Sequence, residues 1–162
     1  MSLELPVTYR DVVQKDWVDM NGHMNVAYYS LVFDRAIDGF FDLLDLGFAA
    51  IERTGRTMFM TEMHVVFRQE IHEGAPIRAS SQILGYDTKR IHFIHFLHHD
   101  TERFLSATCE FMSLHVDMAA RRAVPFTDET TTRLDRMKRE HDRSPWPVEA
   151  SRAISLAAKR PA

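Results

Sequence analysis

The chain has 162 residues, 45% of them apolar, which suits one domain with a packed core and offers no apolar run long enough to span a bilayer. A formal charge of −3, with no unbroken block of Lys and Arg, argues against nucleic acid as a partner. The single cysteine, Cys109, excludes an intrachain disulfide framework, and Met1-Ser2-Leu3-Glu4 has neither the basic nor the apolar region of a signal peptide, so a cytoplasmic location is expected.

Leu5 to Val13 opens the chain with extended character, carried by Val7, Tyr9 and Val12. Asp16-Trp17-Val18-Asp19-Met20-Asn21-Gly22-His23-Met24-Asn25 follows, and it places a carboxylate, an amide and an imidazole just before a helix. Free N–H groups and the helix dipole favour developing negative charge there, which is what attack on a carbonyl needs. The helix is predicted over Val26 to Leu46. Val26, Tyr29, Phe33, Ala36, Ile37, Phe40 and Leu44 recur at spacings of three and four, and Asp34, Asp38, Asp42 and Asp45 form a narrow acidic stripe. Tyr28, Leu31, Val32, Phe41 and Leu43 fill much of the rest, so the helix should be largely buried. Gly47 is its expected stop.

After a polar connection over Glu52 to Arg56 the period changes to two. Thr61 to Glu70 sets Met63, Val65 and Phe67 against Glu62, His64, Arg68 and Glu70, and Gly74-Ala75-Pro76 ends it in a turn. Ile77 to Tyr86, Arg90 to His99 and Phe104 to Asp117 are three further strands, the last two joined by a short hairpin at His99-Asp100-Thr101-Glu102. Thr127 caps a last predicted helix with a weak apolar face at Leu134 and Met137, broken at Ser144-Pro145-Trp146-Pro147. The tail from Val148 is either a short docked helix or free. The expected architecture is α+β, one long buried helix wrapped by an antiparallel sheet of about five strands, with domain 1–126 and a C-terminal helical extension 127–162.

Strand, Asp19-x-Asn21-Gly22-His23-x-Asn25-x-x-Tyr28, long helix and four strands resemble, over roughly residues 5 to 125, the hotdog-fold thioesterases of the 4-hydroxybenzoyl-CoA thioesterase-like superfamily. Trp17 to Met24, Asp87-Thr88-Lys89-Arg90-Ile91-His92 and Leu114-His115-Val116-Asp117 look more narrowly like betainyl-CoA thioesterases of carnitine breakdown. The resemblance implies acyl-CoA thioester hydrolysis, with Asp19 as nucleophile or general base, Asn21 and His23 assisting, and Glu70 as a further acid. Glu62 competes with Glu70 for that place. CoA is then part of the substrate, and neither cofactor nor metal is required, because a thioester is already electrophilic and its thiolate leaves readily. At least a homodimer, or a homotetramer, is expected, since one sheet around one helix leaves unpaired edges.

Each residue also has a plainer reading. Asp19 and Asn21 alone would serve as turn and cap residues, and it is their combination with His23, Tyr28 and a buried helix that points to chemistry. Glu62 and Glu70 are alternatively strand-surface carboxylates. Lys89-Arg90, and less so Arg121-Arg122, would hold CoA phosphates or are ordinary turn charges. A betaine acyl group would require aromatic faces, for which Trp17 and Tyr28 lead, with Tyr29 and Phe59 behind them. Trp17 is equally explained as a loop anchor. His92, His95, His98 and His99 fall on strand spacing and read as polar sheet residues, not metal ligands, and Cys109 as a small core residue. Three other readings compete: a general short-chain or aryl acyl-CoA thioesterase, a non-catalytic acyl-CoA sensor, which normally needs a DNA-binding helix pair, and a dehydratase, which needs a different Asp and His arrangement.

Overall fold

The computed structural model describes residues 4–155. Its elements in chain order are β1 (Val7–Val12), a 3-10 turn (Lys15–Trp17), α1 (Val26–Leu43), α2 (Phe48–Thr54), β2 (Arg56–Phe67), β3 (Pro76–Tyr86), β4 (Arg90–His99), β5 (Leu105–Asp117), the two-residue β6 (Arg122–Ala123) and α3 (Asp128–His141). The strands form one antiparallel sheet in the order β1-β3-β4-β5-β2, with β6 on β5, and α1 lies in its curl. This is the hotdog architecture expected from the sequence, with the C-terminal helix present.

Burial explains why α1 holds that place. Val32, Phe33, Ala36 and Phe40 are fully buried and meet the inward side chains of the sheet, among them Ile77, Phe93, Leu97 and Phe111. Phe40 packs on Phe93 at 4.8 Å between ring centroids, and Phe93 stacks on Phe111 at 5.1 Å. Each buried phenylalanine contributes roughly 1.5–3 kcal/mol. Gly39 sets the separation of helix and sheet: a Cβ there would come to 2.1 Å from the backbone oxygen of Thr8 on β1. Asp34, Asp38 and Asp42 keep the outward face.

Several boundaries differ from the sequence reading. α1 ends at Leu43, and Asp45, not Gly47, takes the left-handed position with φ 57°. The turn is a Schellman motif, in which Leu46 N–H donates to Phe41 O at 2.9 Å and Asp45 N–H to Asp42 O at 3.2 Å. Gly47 instead starts α2, whose end the sequence reading took as connection, and a Cβ at Gly47 would displace the Asp42 carboxylate, which it would meet at 1.8 Å. β2 begins at Arg56 and stops at Phe67, so Glu70 lies beyond it in a loop. A register shift between Met60 and Glu62 breaks its alternation, and β2 is an outer strand whose Phe59, Met63 and Phe67 remain 43%, 49% and 49% exposed.

Thr127 caps α3 as expected, accepting Thr130 N–H at 3.2 Å. α3 packs beside β3 past the end of β1, with Leu134 in the core cluster that α1 also enters. β3 carries an extra residue, Leu84, where Ile83 pairs with Phe93 and Gly85 with His92. Ile83 N–H donates to His141 Nδ1 at 2.9 Å, and Leu84 packs with Ile94 and Ala150. Beyond α3 the chain through residue 155 forms no further helix. It lies against the sheet, with Ser151 N–H donating to the Glu110 carboxylate. The remainder of the tail lies outside the described residues.

The strand histidines separate. His92 faces outward and pairs with Glu110, whereas His95 is fully buried, which corrects its reading as a polar sheet residue. Its Nδ1 lies 2.7 Å from Ser81 Oγ, itself 2.7 Å from Thr8 Oγ1, and Thr8 donates to Ala79 O. The direction that satisfies every hydrogen runs from His95 Nδ1–H through both hydroxyls to that carbonyl, leaving Nε2 unprotonated and without a partner among Phe33, Phe40, Phe93 and Phe111. Burial pushes the His95 pKa down to about 3.

Candidate active site

Residues 18–24 form a small hairpin between β1 and α1. Val18 bridges Met24, Asp19 N–H donates to His23 O at 3.3 Å, and Gly22 N–H donates to Asp19 O at 2.9 Å. The tip turns at Gly22, whose φ of 79° is costly for any side chain. Met24 N–H donates to Ile71 O at 2.8 Å and Asn25 N–H to Trp17 O at 2.9 Å, which stitches the hairpin to the loop after β2 and to the 3-10 turn.

Asp19 is held at both oxygens. Oδ1 accepts Asn21 N–H at 2.9 Å and Oδ2 accepts Asn25 Nδ2 at 2.8 Å. The Asn21 N–H, then the Asn25 amide and, more weakly, His23 hold its carboxyl below the usual carboxylate range, so it is ionised at neutral pH. The carboxylate thus stands partly exposed at the N-terminus of α1, where Asn25 Oδ1 caps Ala27 N–H at 3.0 Å.

His23 closes the other side. Its Nδ1 is 3.3 Å from Met24 O, and its Nε2 is 4.0 Å from Glu70 Oε2. The second oxygen of Glu70 is 3.6 Å from His72 Nε2, and His72 Nδ1 donates to Gly22 O at 2.9 Å. Asp19, Asn21, His23 and Glu70 therefore gather at one end of the sheet, joined by Asn25 and His72. Sequence reasoning assigned those two no role. For Asn25 the signal was present, an Asn directly before an apolar helix; for His72 in its loop there was none.

The other sequence-derived site residues lie differently. Trp17 is 6% exposed and stacks on the half-buried Tyr28 at 5.5 Å, so its indole packs in the core. Glu62 lies on β2 opposite Met112 and lines, with His64, His92, Glu110 and Ser151, a separate cleft of about 690 Å³. Within one chain the structure does not bring Glu62 to Asp19. Lys89 and Arg90 occupy the β3–β4 turn at the far end of the sheet, where Asp87 accepts both of their backbone N–H groups and the Arg90 guanidinium. The Lys89 N–H and the Arg90 guanidinium push the Asp87 carboxyl down to about 2. Cys109 is fully buried, and burial raises its thiol pKa, which leaves it inert. Among the described residues no group of three or more His, Cys, Asp or Glu converges as a metal site, and no helix is long and apolar enough to cross a membrane.

An ionised carboxylate with an adjacent imidazole, a second carboxylate and a helix N-terminus is equipped to attack an electrophilic carbonyl, or to activate water against it, without metal or thiol. Comparison with known proteins points to thioester hydrolysis. The sequence pattern of the thioesterase-like superfamily matches residues 13–134. A betainyl-CoA thioesterase from Pseudomonas aeruginosa is 35% identical over 153 residues, covering 94% of this chain and 96% of its own. A crystal structure described as a putative thioesterase from Pseudomonas putida superposes with a TM-score of 0.82 at 33% identity, covering 96% of this chain and 99% of that one. A Staphylococcus aureus protein solved in complex with CoA superposes with a TM-score of 0.87 at 24% identity, covering 96% and 98%, a likeness of fold.

Proposed function

Because the chain belongs to the thioesterase-like superfamily and is an acyl-CoA thioester hydrolase, we propose that its substrate is betainyl-CoA and that Asp19 delivers the attack. The observation that carries the residue assignment is the Asp19 carboxylate, kept ionised by the Asn21 N–H and the Asn25 amide at the N-terminus of α1. The relative that shares a third of its sequence across almost the whole chain is the support for betaine as the acyl group.

In this reading the thioester carbonyl lies against the first turn of α1, whose dipole stabilises the developing oxyanion. Attack by Asp19, or by water that Asp19 deprotonates, expels the CoA thiolate. His23 and Glu70 position the water, and the acid leaves as betaine. A single turnover in H₂¹⁸O tests the two routes: hydrolysis of an Asp19 anhydride at the aspartyl carbonyl leaves the label in Asp19 and none in the released acid, whereas water activated by Asp19 puts the label in the acid and none in Asp19. Release of free thiol from a panel of acyl-CoAs tests the substrate. Betainyl-CoA should show the highest kcat/KM; a preference for aryl or unbranched short-chain thioesters overturns the betaine assignment and leaves general thioester hydrolysis.

The assembly belongs to the same proposal. Among the described residues no strand pairs with the outer edge of β2, which carries exposed Phe59, Met63 and Phe67, and two copies pairing there antiparallel would close that edge into a continuous sheet. Such pairing sets the β3–β4 turn of one copy, with Lys89 and Arg90, at the end where the other carries Asp19. Cations would then stand where CoA phosphates need them. Sedimentation at micromolar protein should show at least a dimer, and a fully active monomer refutes the arrangement.

A further inference from the structure

We propose that Asn25 is a positioning residue for Asp19, holding the carboxylate against α1 with the same side chain that caps the helix. Both ends of its amide are used: Oδ1 accepts Ala27 N–H at 3.0 Å, and Nδ2 donates to Asp19 Oδ2 at 2.8 Å. The backbone of Asn25 is fixed as well, its N–H on Trp17 O at 2.9 Å and its carbonyl accepting Tyr28 N–H at 3.0 Å. A side chain pinned by the helix at one end and by its own backbone at the other has one direction left for Nδ2. The orientation of the Asp19 carboxylate is thereby tied to the helix. With Asn21 N–H on the other oxygen, two donors fix the carboxylate plane and leave an outer lone pair on each oxygen for chemistry.

Capping alone does not require asparagine, because Ser and Asp cap about as well. Neither offers an amide N–H to a neighbouring carboxylate from the same position. The inference rests on the reading of Asp19 as the reacting group. The titratable groups that face Asp19 and its turn are His23 on the hairpin and, from the segment after β2, Glu70 and His72. None of them replaces the donor that Asn25 supplies.

Asn25→Ser and Asn25→Asp separate the two roles, since both keep a helix cap and both withdraw the amide donor. Asn25→Asp also sets a negative charge against Asp19. Thermal midpoints and KM should stay near those of the parent while kcat falls by about ten- to a hundredfold, the scale of a misplaced reacting group. The acid limb of kcat/KM should move to higher pH, further in Asn25→Asp, because Asp19 loses a bond that favours its charged form. A ¹³C titration of the Asp19 carboxyl should move in the same direction, independently of turnover. Asp19→Asn is measured alongside. If Asp19→Asn is inactive but the two Asn25 variants keep the parental kcat and acid limb, Asn25 is only a helix cap and the proposal is overturned alone. If Asp19→Asn turns over at the parental rate, the reading of Asp19 fails and the proposal falls with it.

Discussion

His95 should make this fold acid-labile by an amount that can be worked out beforehand. The imidazole is fully buried, its Nδ1–H feeds the hydroxyls of Ser81 and Thr8, and its Nε2 has no hydrogen-bond partner among the described residues. A proton added at Nε2 would be a buried charge without a partner. Burial holds its pKa near 3, against 6.5 for an unburied histidine. Above pH 6.5 neither state binds the proton and the full stability is present. Below it the unfolded chain binds a proton that the folded protein refuses, so stability falls with pH until the folded-state value near 3 is reached. At pH 5 the gap is about 1.5 pH units, or about 2 kcal/mol, equivalent to roughly 4–8 °C in Tm for a chain of this size. Denaturant unfolding of the parent and His95→Phe at pH 7.5 and 5.0, at fixed protomer concentration, measures it. His98, His115 and His141, whose pKa values burial also lowers, remain in both proteins and cancel in the difference. The parent should lose about 2 kcal/mol more than His95→Phe on acidification. Equal losses would refute the assignment of a neutral, unpartnered ring.

Asp19→Asn should lower kcat/KM by about 10²–10⁴-fold with an unchanged Tm, and His23→Ala by less, as read by thiol release; turnover within a few fold of the parent in a folded Asp19→Asn protein contradicts the role of the carboxylate. Trp17→Leu should reduce turnover of betainyl-CoA and of a neutral isosteric acyl-CoA equally, since the indole packs under Tyr28 in the core; a loss confined to the cationic substrate would show that it contacts the ammonium. Gly39→Ala should destabilise by about 1–3 kcal/mol in thermal unfolding, because its Cβ meets the Thr8 carbonyl, and an unaltered Tm would mean that α1 and β1 separate freely.

The elements that the sequence reveals well are those in which one period persists. Ile91, Phe93, His95 and Leu97 alternate without interruption, and β4 runs between the residues expected for it, Arg90 and His99. α1 is legible for the same reason, with its apolar positions three and four apart. Legibility fails where a single backbone event resets the pattern. Asp45 adopts the left-handed turn that a glycine usually takes, so Gly47 marks a helix start and not a stop. The register shift after Met60 puts the alternation of Arg56–Met60 out of step with that of Glu62–Phe67. In the site, Asp19, Asn21 and His23 are adjacent in sequence and readable as a group. The approach of Glu70 and His72 depends on a loop folding back after β2, which no local pattern encodes.

The surplus residue in β3 gives the sheet a dependence on chain length that its hydrogen-bond pattern alone would not disclose. Leu84 has no counterpart on β4, and around it Ile83 turns its N–H to His141 while Leu84 itself lies beneath Ala150. Deleting that residue would even the β3–β4 ladder and at the same time remove the apolar seat of the tail at Ala150. Insertions and deletions in β3 are therefore constrained from the far end of the sequence, through residues more than fifty positions away.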